Sequence, residues 1–152
     1  MNLIKHDSDF DFCMLKLFRF NNINFSIIPY NYQYKKIMEN KIFDELCNGN
    51  FISTSSILIK NKFIKKFLFD NNILRLQDYD LMLRMIPNAK ISFTNEVLIN
   101  LYVHNDSISR SNEKLKKAIN ILLKKKYKFN FYQKKQFINN INKIRTKLNI
   151  SF

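Results

Sequence analysis

The sequence predicts an α/β chain: a small mixed sheet with flanking helices, followed by a C-terminal two-helix extension. Three observations carry this. Residues 10 to 30 mix aromatic and aliphatic side chains with a partial period of two, which suits strands. Several later segments repeat their apolar residues at helical spacing instead. Apolar residues make up 46% of the 152 and are spread along the whole length, as a folded chain with one core requires.

Phe10 to Phe20 (FDFCMLKLFRF) and Asn24 to Tyr30 (NFSIIPY) read as two strands joined by a hairpin or short loop. Tyr34 to Cys47 (YKKIMENKIFDELC) places Ile37, Ile42 and Leu46 near helical spacing and predicts one helix. Gly49, the single glycine, suits a left-handed cap at its end. Ser53 to Ile59 (STSSILI) reads as a short strand and Asn61 to Phe69 as a basic helical turn or short helix. Leu76 to Ile86 (LQDYDLMLRMI) reads as a helix with acids at its start and Arg84 near its end, the arrangement the helix dipole favours, and Pro87 closes it. Lys90 to Phe93 and Val97 to Val103 read as two strands. Beyond Ser111, Leu115, Ile119, Leu122 and Leu123 form one apolar stripe and Phe137, Ile138, Ile141, Ile144 and Leu148 another. Two amphipathic helices joined near Asn130 fit both, with Asn112 available as a cap.

Composition narrows the function classes. No window approaches the roughly 18 apolar residues of a membrane span, and the start lacks a signal-peptide pattern, so a cytoplasmic protein is expected. Cys13 and Cys47 have no His or Cys at metal-ligand spacing and read as small buried apolar residues, with no disulfide expected. The net charge of +14 resembles that of a nucleic-acid binder, but its distribution is uneven. Residues 111 to 152 carry 12 Lys or Arg against one acid, Glu113, a balance of +11. Residues 1 to 110 carry 14 basic and 11 acidic residues, a balance of +3. The excess belongs to the tail, and nucleic acid is disfavoured as a partner.

The order of motifs in residues 50 to 111 is the most informative feature: a Ser/Thr strand, a helix, the run Gln77 to Arg84 (QDYDLMLR), a strand pair, and Tyr102 to Arg110 (YVHNDSISR). This order resembles the C-terminal, acceptor-side portion of family-two glycosyltransferases, inverting enzymes of the GT-A fold. The likeness covers about the middle 60 residues and is supported more weakly by residues 10 to 50. It implies a partial GT-A-like fold in which 1–111 form the acceptor-side part of the domain, the donor-binding half is absent, and 112–152 form a basic helical tail. It also implies transfer of a sugar from a nucleotide-sugar donor to a glycan or lipid-linked acceptor.

By the same resemblance Asp78 matches the catalytic base, Gln77 stands where the family usually has Glu, and Gln77 and Asp80 are acceptor-side positions. The chemistry is sound independently of the family: an inverting transfer needs a base for the acceptor hydroxyl, and a carboxylate at a helix start can face a cleft. Both acids also suit plain helix-start roles. His104 matches a position that in some relatives helps ligate the divalent metal, Mn²⁺ or Mg²⁺, expected of the complete enzyme, although a lone turn His is often simply exposed. Asp7-Ser8-Asp9 has the letters of a donor-site Asp-x-Asp motif. Only Met1 to His6 precede it, so it reads as loop chemistry, and the donor site is expected from an upstream-encoded half.

The basic tail has two readings, contact with an anionic membrane surface at the inner face or an amphipathic hairpin packed on the domain. The second is preferred. The rival to an enzyme is a noncatalytic basic module that binds nucleic acid or another protein.

Overall fold

A computed structural model describes residues 7–19, 25–103 and 111–147. Strand β1 (Phe10–Arg19) is central. It pairs in parallel with β4 (Ile91–Val103) from Phe10 to Arg19. A strand has only two edges, so its other partners share the opposite one: β3 (Ile57–Ile59) lies antiparallel to Phe10–Phe12, and β2 (Phe25–Ile28) antiparallel to Leu15–Phe18. The result is an open mixed sheet of four strands with flanking helices.

The two strands expected over residues 10–30 are present and pair antiparallel, with Leu15 opposite Ile28 and Phe18 opposite Phe25. Other expectations are corrected. The single helix over Tyr34–Cys47 is two, α1 (Asn31–Met38) and α2 (Ile42–Asn48), separated where Asn40 takes φ 57°. Asparagine tolerates that left-handed conformation better than most residues, and no Gly or Pro announced the break. Gly49 does end α2, but at φ 155° and ψ 153°, a glycine-favoured region distinct from the left-handed helical cap. The strand over Ser53–Ile59 opens with a 3₁₀ turn, Thr54–Ser56. The strands at 90–93 and 97–103 are one strand, β4, whose register against β1 slips after Thr94 and again after Val97. Thr94-Asn95-Glu96, the stretch between the two expected strands, is a bulge.

Helix α3 (Asn61–Ile64) is short. Helix α4 (Gln77–Met85) buries Tyr79, Asp80, Leu81, Met82, Leu83 and Met85, so it runs through the core instead of lying on the surface. Pro87 falls in a 3₁₀ extension, Ile86–Asn88.

The last two helices are α5 (Asn112–Lys124) and α6 (Phe131–Lys147). The Ser111 hydroxyl accepts from Lys114 N at 3.3 Å, so Ser111, not Asn112, is the cap of α5. Asn130 and Gln133 form a reciprocal capping box at α6, each side chain accepting from the other's backbone N–H at 2.8 and 2.9 Å. Leu115, Ala118, Ile119 and Leu122 of α5 and Phe137 and Ile141 of α6 belong to the same buried cluster as Phe10, Phe12, Tyr79 and Met82. The helical pair therefore shares one core with residues 10–86. Among the described residues no helix is long and apolar enough to cross a membrane.

Candidate functional site

The start of α4 carries the predicted site residues, and the structure gives its two acids different environments. Asp78 is half-buried. Its Oδ1 accepts from Tyr79 N at 2.9 Å, and its Oδ2 accepts from the Asn50 side-chain amide at 3.0 Å. Burial pushes the Asp78 carboxyl above the ordinary carboxylate range, and the hydrogen bonds from backbone N–H groups and Asn50 offset only part of that. A raised carboxyl is a stronger base once ionised, the property a proton acceptor uses. Asn50, 28 positions away, has no motif signal. Its own Oδ1 accepts from Ile52 N at 3.2 Å, so it ties the Ser/Thr segment to the first turn of α4. Gln77 is exposed beside Asp78.

Asp80 is fully buried, at 0% exposure. Its Oδ2 accepts from Arg84 Nε at 3.0 Å and lies 2.8 Å from Arg84 Nη2. Its Oδ1 accepts from Lys125 Nζ at 2.8 Å and from the Tyr127 hydroxyl at 2.7 Å. The Asp80 carboxylate, expected at an acceptor-side position, has no exposed surface, and its oxygens are held by the chain's own donors. Lys125 also reaches Asp70 Oδ2 at 2.7 Å, and its hydrogen bond is the main reason that the Asp70 carboxyl falls to about 2. Burial and the hydrogen bond to Asp80 both push the Tyr127 hydroxyl up.

This network also fixes the approach to Asp78. Leu68 and Leu76 have φ 45° and 61°, left-handed values that cost a non-glycine residue about 1–2 kcal/mol each. The loop between them is pinned at both ends. Arg84 donates to the carbonyls of Phe67 and Leu68, and Arg75 Nη1 donates to Ser111 O at 2.9 Å. Leu76 immediately precedes α4, so the strained residue and its clamps set where Asp78 stands.

Two clefts open near the sheet. One, of about 510 Å³, lies over the start of β1, which β3 and β4 flank, and is lined by Ser55, Ser56, Asp11, Cys13, Thr94 and Glu96 among others. The second, of about 640 Å³, borders the α1–α2 turn and the start of β4. Asp78 lines neither. The Ser hydroxyls partly serve their own turn: Ser53 Oγ accepts from Ser55 N, and Ser56 Oγ donates to Ser53 O at 2.9 Å.

His104 lies outside the described residues. Asp7 is exposed and pairs with Lys90 at 3.4 Å, while Asp9 Oδ2 accepts from Lys90 N at 3.1 Å, which is loop chemistry. Among the described residues no three His, Cys, Asp or Glu side chains gather as metal ligands, so no divalent ion is assigned to them. Both cysteines are free and buried, and burial pushes the Cys47 thiol up to about 12. Comparison of the chain with family models, with curated proteins and with solved structures finds no match in any of the three.

Proposed function

We propose that this chain is the acceptor-side part of a nucleotide-sugar glycosyltransferase, with Asp78 as its general base. The supporting observation is the half-buried Asp78 carboxyl, raised by burial and oriented by Asn50, at the head of a core helix within the Gln77–Arg84 motif. In this reading Asp78 takes the proton of an acceptor hydroxyl as that oxygen bonds to the anomeric carbon. The bond from that carbon to the nucleoside diphosphate breaks on the opposite face, and the configuration inverts. Gln77, exposed at the same helix start, is the neighbour placed to contact the acceptor. The donor-binding part and its Mn²⁺ or Mg²⁺ come from outside these residues.

A purely structural reading has its own observation, the Asp78 Oδ1 bond to Tyr79 N, which is what a helix-start acid does. One experiment separates the two. Transfer and hydrolysis of nucleotide sugars are measured with Mn²⁺ or Mg²⁺, first with the purified chain and then with the product of the upstream reading frame added. Transfer in the mixture that Asp78→Asn abolishes, at unchanged acceptor binding, supports the base role. Transfer that persists in Asp78→Asn, or no transfer in either arrangement, overturns it.

A further inference from the structure

The segment that joins α5 to α6 is basic and alternates in burial. Leu123 to Lys135 (LKKKYKFNFYQKK) holds six lysines and no acid. From Lys125 to Asn130 burial alternates residue by residue: Lys125, Tyr127 and Phe129 turn inward, and Lys126, Lys128 and Asn130 face solvent. The inward set is fixed by contacts. Lys125 and Tyr127 bind Asp80, and Phe129 packs on Phe137 with ring centroids 5.2 Å apart. Outward Lys126 and Lys128, the latter donating to Asn88 Oδ1 at 3.0 Å, belong to a row of cations continued by Lys124 before them and by Lys134 and Lys135 after them, all exposed.

Apolar side chains stand out of the same segment. Phe131 is 87% exposed, Tyr132 56% and Leu123 40%. Phe131 is the first residue of α6, whose start the Asn130–Gln133 capping box holds rigid, so its exposure comes from an ordered helix end. Tyr132 also borders a small cleft with Lys36, Lys41, Asp44 and Glu45, where Asp44 is engaged by Gln133 at 2.7 Å.

We propose that the α5–α6 turn, Leu123 to Lys135, is a contact surface for anionic lipid bilayers, in which Phe131 enters the headgroup region while the outward lysines meet lipid phosphates. A largely exposed Phe in a segment of exposed lysines matches an interface that is apolar beneath and anionic above. The tail's composition favours a bilayer over nucleic acid. Its cations are lysines with a single arginine, Arg145, so the bidentate donors that suit phosphodiester and base recognition are almost absent. Leu123 cannot stack on a base, and the side-chain oxygen of Asn130 is committed to capping. This surface is independent of the role given to Asp78.

The test is co-sedimentation of the whole chain with vesicles of phosphatidylcholine alone and with about a third phosphatidylserine, at low and high salt. Binding to the anionic vesicles only, lost at high salt, is expected. Lys126→Gln with Lys134→Gln should weaken partitioning about 30-fold, given the usual contribution of each lysine near an anionic surface. Phe131→Ser should weaken it about 10-fold at full charge, reflecting lost apolar burial. All three positions are exposed, and unchanged thermal melting of the variants keeps the comparison clean. Equal binding to both vesicles, or binding to neither, overturns the proposal. So does an unchanged partition for Phe131→Ser, or displacement from vesicles by a single-stranded oligonucleotide whose binding also needs Phe131.

Discussion

Replacing Asp80 with Asn removes the one carboxylate that two cations and a phenol share inside the protein. The structure limits the damage on the cation side: Arg84 keeps the carbonyls of Phe67 and Leu68, and Lys125 keeps Asp70 at 2.7 Å. In one orientation the new amide keeps its oxygen on Lys125 and Tyr127 and turns its N–H₂ toward the Arg84 donors; in the other it keeps Arg84 and turns the N–H₂ toward Lys125 and Tyr127. Removing one partner of a buried pair costs about 3–5 kcal/mol, and the retained partners argue for the lower end, about 3 kcal/mol. With a urea m-value of about 2 kcal/mol/M, that lowers the midpoint by roughly 1.5 M. Equilibrium urea unfolding followed by far-ultraviolet circular dichroism measures it. The cycle with Lys125→Met should show coupling of about 1–3 kcal/mol, because Asp80 and Lys125 touch directly. A loss below about 1 kcal/mol for Asp80→Asn, or additive effects in the cycle, would refute the view of Asp80 as the anchor between α4 and the α5–α6 connector.

Asp78→Asn should raise the unfolding midpoint at pH 7. The folded carboxyl is held above its unfolded value, so its contribution is fully present only below the unfolded pKa and is lost as pH rises through the folded one. The gain from Asn must therefore shrink as the pH falls through the carboxylate range, and melts between pH 3 and pH 7 read this out. Asp70 has the opposite sign: its carboxyl, lowered to about 2, contributes stability that is present above about pH 4 and lost toward pH 2. Asp70→Asn should flatten the acid limb of the stability curve in that window. Gly49→Ala should cost about 1–3 kcal/mol from backbone strain alone, since the added Cβ would meet Asn140 Oδ1 at an ordinary 3.4 Å; urea unfolding checks it. Leu122→Ala should cost about 2–5 kcal/mol in the same assay, a core-sized loss that a detachable tail would not show.

The features that were legible before the structure are those whose causes are local. Alternation marked β1 and β2, the apolar spacing of Leu115, Ile119 and Leu122 marked α5, and the acids and Arg84 bracketed α4. Where a residue type permits two conformations, sequence order did not choose between them. Asn40 breaks a helix without a Gly or Pro, and the polar Thr94–Glu96 stretch bulges within β4 instead of separating two strands. The site divides in the same way. Asp78 and Asp80 look equivalent in QDYDLMLR, yet two positions on a helix of 3.6 residues per turn put them on nearly opposite faces. One faces Asn50, the other the interior. What separates their roles lies 28, 45 and 47 positions away, in Asn50, Lys125 and Tyr127, beyond the reach of any local pattern.

The lysine triplet 124–126 shows why the charge excess cannot be treated as a single property. Its members differ by one residue each, but the extended connector sends Lys125 inward to Asp70 and Asp80 and leaves Lys124 and Lys126 in solvent. The inner ammonium is structural: salt reaches it poorly, and its loss unpairs a buried carboxylate. The outer two are screened by salt and contribute to folding only marginally, so whatever they do is done to a partner. A block replacement of all three would mix a folding defect with a surface defect and would read as lost binding under either cause. Single substitutions at Lys126 and at Lys125 separate them, because the first should change partitioning to anionic vesicles with the urea midpoint intact, and the second should lower the midpoint.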